Sequence, residues 1–477
     1  MMKHDNMNVL LIVADQFRSD LASFNGGKWV KTPNLDLIAE HSLVFDNAYC
    51  TTPLCVPSRS VMFTGKYARR LGIFYNDIFL DEASVQLPEI LRGNGYELAM
   101  VGKNHAFTSN YLKTWDFCEL FGGRGKEEHS FCSEARDGEK LIANWRKNSI
   151  PFFEAPVHET QPGELADDPT VSQTDYALKY LSGKNADKPF FMYLSYEAPH
   201  FPYVLPKEYF NAFSLQDMPG STKDDPLFKD KPERLWMQYY GLNMDEMDED
   251  DIKRVQASYL GMIKMLDDQL GRVIDSLKKS GEWENTILIF TSDHGDFWGK
   301  HGLIGKTNAV YEDLLRIPLM IRAPGMTQGK HSAALLDNSD IFPTILELLG
   351  MEIPESIQGR SLAHCLHNPK DLHRKRIVAE SSLDKSALNI DELFAAIDKR
   401  KELFDEEGAM WFVNRLGGMT RSLMREDGMK VIHNEIFEPE LYNLKEDSDE
   451  MKNLAALPEY KEILMEMLQE LQECNLA

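Results

Sequence analysis

The chain opens on an unbroken apolar run, Val9-Leu10-Leu11-Ile12-Val13-Ala14, which Asp15 stops. A run of that length without alternation predicts a strand buried on both faces of a parallel sheet. Thr32 to Glu40, with Pro33 in its first turn, predicts a capped helix. Ser42 to Ala48 predicts a second strand, and Leu87-Pro88-Glu89-Ile90-Leu91 opens a helix that Gly93 and Gly95 end. Strands follow at Leu98 to Val101, Pro189 to Ser195 and Thr286 to Phe290, with a long helical pattern from Ile252 to Lys279 closed by Gly281. This alternation predicts an α/β fold: a large mixed, mostly parallel sheet flanked by helices.

In such sheets, ligands sit beyond the carboxyl ends of the strands. Asp15 ends the first strand, and Lys103 and His105 follow the one at Leu98. His200 follows the strand at Phe190, and Asp293 and His294 follow the one at Thr286. Four strand ends thus deliver polar groups to one edge. Residues 205–251 interrupt the pattern with Pro, Asp, Glu, Met and aromatics, ending in Asp245-Glu246-Met247-Asp248-Glu249-Asp250-Asp251. They are expected to form an irregular acidic insertion, solvated or serving as a flap over the pocket mouth. From 375 the pattern turns shorter and more polar and closes on an amphipathic stretch at Pro458 to Glu473. The organisation expected is a catalytic domain over 1–374 and a smaller C-terminal α+β subdomain over 375–477.

Composition narrows the function. Lys plus Arg number 52 and Asp plus Glu 76, a net charge of −24. Such a chain repels phosphate backbones and anionic lipid, which argues against nucleic-acid and membrane-surface partners, though a local cationic pocket can still take a small anion. The first apolar run is too short to span a bilayer and no small-residue cleavage site follows it, so the chain reads as cytoplasmic. Its cysteines, Cys50, Cys55, Cys118, Cys132, Cys365 and Cys474, are scattered without zinc spacing and are expected as reduced thiols.

The chemistry concentrates at Cys55-Val56-Pro57-Ser58-Arg59-Ser60-Val61-Met62-Phe63-Thr64-Gly65-Lys66. Pro57 suits a first helical turn, which sets Cys55 at a helix mouth where free N–H groups favour an anion. Arg59, one turn along, adds a charge-assisted fork. Two readings of Cys55 stay open on these grounds: a low-pKa nucleophile, or a buried structural thiol. The same stretch resembles the signature of the type I sulfatases, in the alkaline-phosphatase-like superfamily. Asn8 to Gln16, Gly102-Lys103-Asn104-His105, Ala198-Pro199-His200, Thr291-Ser292-Asp293-His294-Gly295-Asp296 and Gly305-Lys306 are similar to further elements of that family, as are Asp340-Ile341-Phe342-Pro343-Thr344 and Glu440-Leu441-Tyr442-Asn443-Leu444.

The resemblance implies that Cys55 is oxidised after translation to Cα-formylglycine by a formylglycine-generating maturation enzyme. It implies a divalent metal held by Asp15, Gln16, residue 55, Asp293 and His294. Two carboxylates with amide and alkoxide oxygens best suit Ca²⁺. Many members have Asp in place of Gln16 and Asn in place of His294; the pair found here resembles the choline-sulfatase and phosphonate-monoester-hydrolase branch and shifts the set toward Mn²⁺. The implied substrate is a small-molecule sulfate ester. One hydroxyl of the hydrated aldehyde attacks, and the second expels sulfate by collapse to the aldehyde. Lys103 and Lys306 are implied to bind the sulfate, His200 and His105 to help protonate the leaving group, and Asn76 to touch the ester. His301 is expected to be structural. Phe74, Tyr75, Phe79, Tyr203 and Trp236 are candidates for a leaving-group pocket or for core. A phosphonate monoester or phosphodiester hydrolase, and a silent anion-binding protein, are the alternatives.

Overall fold

The computed structural model describes residues 7–121 except 77; 161–382 except 164, 166–167, 202, 223–230, 233–234, 237, 240–243 and 326–328; and 418–474. The predicted runs become the centre of an eight-stranded sheet ordered β10-β2-β9-β8-β1-β6-β3-β4. β1 is Asn8–Ala14, buried at every residue, and lies between β6 (Phe190–Tyr196) and β8 (Thr286–Ser292), parallel to both. β3 (Glu97–Gly102) pairs with β6 in parallel and carries β4 (Phe117–Leu120) at the edge. On the other side β9 (Leu319–Arg322) runs antiparallel to β8 and to β2 (Leu43–Tyr49), and β10 (Lys330–Asp337) pairs with β2. The sheet is therefore mixed and mostly parallel, as expected, and β5 (Gln161–Gly163) and β7 (Val204–Pro206) form a separate parallel pair.

Register aligns the polar ends. Ala14 pairs with Tyr196 on one side and with Ser292 on the other, and Gly102 pairs with Ser195. The residues that follow, Asp15, Asp293 and Lys103, leave the sheet at one level. Gly102 has φ +107°, and a Cβ there would lie 1.9 Å from the Ser195 carbonyl oxygen. Only glycine lets β3 turn off so close to β6.

Helices cover both faces. α1 (Pro33–Glu40), α2 (Cys55–Thr64) and α4 (Glu249–Ser280) hold the predicted positions, and α3 (Pro169–Gly183) adds a helix that the sequence reading did not include. The acidic run at 248–251 is not merely solvated: Asp248 caps α4 in a capping box with Asp251, where negative charge meets the positive helix end. Asp267 of α4 accepts from the Asn34 and Leu35 N–H groups, satisfying the start of α1. α5 (Ile341–Leu348) follows β10, and α6 (Ala363–His367) leads to a second sheet. That sheet is antiparallel: β11 (Arg376–Ser381), β12 (Thr420–Arg425), β13 (Met429–Asn434) and β14 (Glu440–Asn443). The final helix α7 (Lys461–Glu473) lays Met467 and Leu471 on Leu423, Val431 and Leu441, a core separate from the main one. Each buried aliphatic side chain there contributes about 1.5–3 kcal/mol. Among the described residues no helix is long and apolar enough to cross a membrane.

Candidate active site and metal centre

The site forms where β8, β1, β6 and β3 end side by side and α2 points its first residue at them. α2 is buried at every position. Ser58 Oγ donates to the Asp293 carbonyl at 2.5 Å, and Asn338 Nδ2 donates to Ser58 Oγ at 2.9 Å. Asn76 Oδ1 accepts from the Val56 N–H at 3.1 Å. These bonds fix Cys55, which is 1% exposed, with Sγ 3.8 Å from Asp15 Oδ1, 3.4 Å from His294 Nε2 and 3.1 Å from Lys306 Nζ.

Arg59 stands behind this centre. Its Nε donates to Asp293 Oδ2 at 2.8 Å and its Nη2 to Asp15 Oδ2 at 2.9 Å, while Nη1 reaches Tyr193 and Ser195. The fork is spent on two carboxylates, so Arg59 holds them instead of meeting an anion itself. Lys103 Nζ joins Asp15 Oδ2 at 2.8 Å. Burial alone would raise the Asp15 pKa, but Lys103, His200, Arg59 and Lys306 together hold it well below the carboxylate range. Gln16 takes φ +65°, a left-handed conformation uncommon outside glycine. It is held there by its N–H to Asp293 Oδ1 at 3.0 Å and by Tyr259 OH donating to its carbonyl at 2.5 Å. Asp296 takes the Gln16 amide N–H, which leaves Oε1 facing Lys306 Nζ at 3.3 Å.

The imidazoles are set by their outer nitrogens. His294 Nδ1 lies 2.9 Å from the Gly295 carbonyl and must donate to it, so Nε2 presents a lone pair inward. His200 Nδ1 likewise donates to the Phe201 carbonyl at 2.5 Å, and Lys306 Nζ donates to its Nε2 at 2.8 Å. Burial, then the Lys103 and Lys306 charges, push the His200 pKa well down. Burial and Lys103 do the same to His105, whose buried Nδ1 has no hydrogen-bond partner among the described residues.

The donor atoms of Asp15, Cys55, Asp293 and His294 all lie within 4.8 Å of one another. Two buried carboxylates, an inward imidazole lone pair and the Gln16 amide oxygen make a donor set that fits one divalent cation of the hard to borderline class.

A family model described as Sulfatase matches residues 7–351. The chain belongs to the sulfatase family. As a member it is a sulfuric ester hydrolase. It is 29% identical to a multifunctional alkaline phosphatase superfamily protein of Trinickia caryophylli, over 97% of this chain and 94% of that one. It is 27% identical to an arylsulfatase of Clostridium perfringens, over 95% and 91%. A solved structure of the phosphonate monoester hydrolase of Agrobacterium radiobacter superposes with TM-score 0.77 at 24% identity, covering 98% of this chain and 95% of that one. Another, in complex with its substrate D-glucosamine-2-N,6-O-disulfate, gives TM-score 0.69 at 24% identity over 98% and 97%. These neighbours carry the same fold.

In this sulfatase the sequence candidates Asp15, Gln16, Cys55, Arg59, Lys103, His200, Asp293, His294 and Lys306 converge on one buried centre, and His105 is buried beside Lys103's loop. The low-pKa reading of the Cys55 thiol fails: burial and Asp15 push it up against the pull of Lys306 and Lys103. Asn76 sits on the motif helix backbone, where it completes the α2 cap. His301 lies outside the site, stacked 4.5 Å from Tyr311. Tyr203 is core, whereas Phe74, Tyr75, Phe79 and Trp236 are half-buried. From the insertion, Gln238 accepts from Thr307 Oγ1 at 2.8 Å, next to Lys306. Cys50, Cys55, Cys365 and Cys474 are free thiols; Cys132 lies outside the described residues. Sequence reasoning missed Ser58, Tyr193, Ser195, Tyr259, Asp296 and Asn338. Ser58 and Asp296 stood inside the motifs, but the others are ordinary strand, helix and turn residues whose roles arise only through long-range contact.

Proposed function

We propose that this sulfatase hydrolyses an organic sulfate monoester to alcohol and inorganic sulfate, with residue 55 as the hydrate of Cα-formylglycine. The observation that carries the reading is the convergence of Lys103, His200, Lys306, Asp15, Gln16, Asp293 and His294 around the Cys55 side chain at a buried helix mouth. An unmodified thiol with a raised pKa is a poor nucleophile there, whereas a geminal diol in the same place needs no low thiol pKa. A divalent cation held by Asp15, Gln16, Asp293 and His294 supplies the positive charge that favours an ionised hydroxyl on residue 55 and offsets charge on the sulfuryl oxygens. Ca²⁺ is the first choice for that set and Mn²⁺ the second.

The chain's residues then divide the work. Lys103 and Lys306 bring cationic charge to the ester. One hydroxyl oxygen of residue 55 bonds to sulfur while the sulfur–alcohol bond breaks. The Lys306–His200 pair, which shares a proton across 2.8 Å, delivers it to the departing alkoxide. One proton short, the pair takes up the proton of the second hydroxyl as the carbon–oxygen bond to sulfate breaks and the aldehyde returns. Arg59 keeps the two carboxylates in register, and His105 presents a nitrogen that has no hydrogen-bond partner among the described residues.

The test is mass spectrometry of the peptide containing position 55 after co-expression with a formylglycine-generating enzyme, joined to a panel of sulfated phenols, steroids, monosaccharides and choline. The expected result is aldehyde or hydrate at 55 and sulfate release in proportion to it. Full activity with an intact thiol removes the mechanism. Turnover confined to a phosphonate monoester favours the second reading, a hydrolase of that class on the same fold.

A further inference from the structure

A second set of soft and borderline donors lies away from the active site, where the catalytic sheet hands over to the small one. On α6, Cys365 Sγ is buried and faces His364 Nε2 at 3.4 Å. His373, from the loop that leads into β11, stacks on His364 with ring centroids 5.2 Å apart and planes 28° apart. One donor atom from each of these residues lies within 4.8 Å of the other two. His373 Nε2 is 3.0 Å from Asp340 Oδ2. A carboxylate on one ring nitrogen is the arrangement that fixes the ring and tautomer of a metal-ligating histidine, leaving Nδ1 with its lone pair to give.

We propose that His364, Cys365 and His373 form a site for a thiolate-seeking divalent cation of the Zn²⁺ class. The donor set is two imidazoles and one thiolate, which tetrahedral Zn²⁺ accepts with water in the fourth place. Binding is an exchange: the Cys365 thiol gives its proton to solvent as the sulfur–metal bond forms, and no oxidation state changes. The outer partner ties the site to the catalytic frame. Asp340 also takes the Arg374 guanidinium and the Arg360 N–H, and it closes the turn whose Asn338 holds Ser58 of the motif helix. A cation here pins the segment between α5 and β11 to that turn. The cysteine spacing of the sequence does not reveal it, because only one of the ligands is a cysteine.

The test uses the full chain carrying Cys55→Ser, which removes the other thiol that stands in a cluster of metal-ligating side chains among the described residues. The chelator-treated protein is titrated with Co²⁺, and the absorbance is followed. A saturable near-ultraviolet thiolate-to-cobalt band with the visible bands of tetrahedral Co²⁺ is expected, displaced by Zn²⁺. Adding Cys365→Ser should erase the near-ultraviolet band. Adding His364→Ala, whose ring is exposed and whose loss spares folding, should weaken Co²⁺ binding at least about 10-fold, as loss of even an outer partner does. A Cys55→Ser protein with no near-ultraviolet band overturns the site. So does a band that survives Cys365→Ser, or an affinity unmoved by His364→Ala.

Discussion

Replacing His200 with alanine separates proton delivery from sulfate binding. The structure places His200 Nε2 at 2.8 Å from Lys306 Nζ and 3.9 Å from Asp15 Oδ1, with Lys306 Nζ 3.1 Å from the side chain of residue 55. Lys103 instead joins Asp15 Oδ2 at 2.8 Å. The Lys306–His200 pair can therefore serve the departing oxygen, while Lys103 serves the charge at the carboxylate side of the centre. General-acid help is worth about 10²–10⁴-fold, which at about 1.36 kcal/mol per factor of ten is roughly 3–5 kcal/mol of barrier. An alkyl or sugar alkoxide needs all of that help, whereas a nitrophenolate leaves with little. His200→Ala should lose about 10²–10⁴-fold in kcat/KM on an alkyl sulfate and less than about 10-fold on an activated aryl sulfate. Lys306→Met should show the same leaving-group dependence, because it removes the other end of the shared proton. Lys103→Met should lose a similar factor on every ester. The assay is kcat/KM over esters of graded leaving-group pKa, with the fraction of formylglycine measured for each variant. An equal fractional loss for His200→Ala across the whole series refutes the assignment and makes His200 a binding residue.

Asp293→Ala should nearly abolish turnover and bound metal, and it should lower thermal stability too, since the buried Arg59 loses one of its two carboxylates, at a cost of up to about 3–5 kcal/mol; calorimetry and metal analysis read both, and a fully stable, metal-loaded variant would contradict the geometry. His294→Asn should be milder in rate and metal content, and equal losses in the two variants would mean the ligand assignment is wrong. Gly102→Ala should destabilise by about 1–3 kcal/mol from its left-handed backbone alone, with the approach to Ser195 adding more, and a melting temperature equal to wild type would exclude that reading. Burial pushes Asp267 up to about 6, against the pull of its bonds to Leu35 and Asn34. Its folded form holds a proton more tightly than the unfolded chain, so its contribution to stability is full below about pH 4 and declines as pH rises to about 6. Asp267→Ala should flatten that part of the melting-temperature profile, and an unchanged slope would remove the cause.

Much of the fold was legible because local pattern and burial agree. The runs at Val9, Leu98, Phe190 and Thr286 are apolar on both faces, and a strand buried on both faces has no other composition open to it. The long α4 is equally plain, with Gly281 at its end. The ligating residues were legible for a related reason: they sit at the first positions past those strands, where the backbone leaves the sheet and side chains reach the common edge. Short local motifs around Cys55, Lys103, His200 and Asp293 carried them.

What the sequence by itself determined, then, is which elements form and which residue types stand at their ends. Only the tertiary structure decided how those ends are used. The order β8-β1-β6-β3 brings four distant segments to one level, and with α2 aimed at them the Arg59 fork closes on Asp15 and Asp293 instead of on an anion. Packing of α4 brings Tyr259 to the Gln16 carbonyl, and the turn after β10 brings Asn338 to Ser58. Asn76, apt for a substrate contact by its place in the sequence, is drawn to a free helix N–H because a buried donor must be satisfied. The raised Cys55 pKa follows from the same cause: a helix mouth open to water would lower a thiol's pKa, but burial beside Asp15 raises it, and burial belongs to the folded whole.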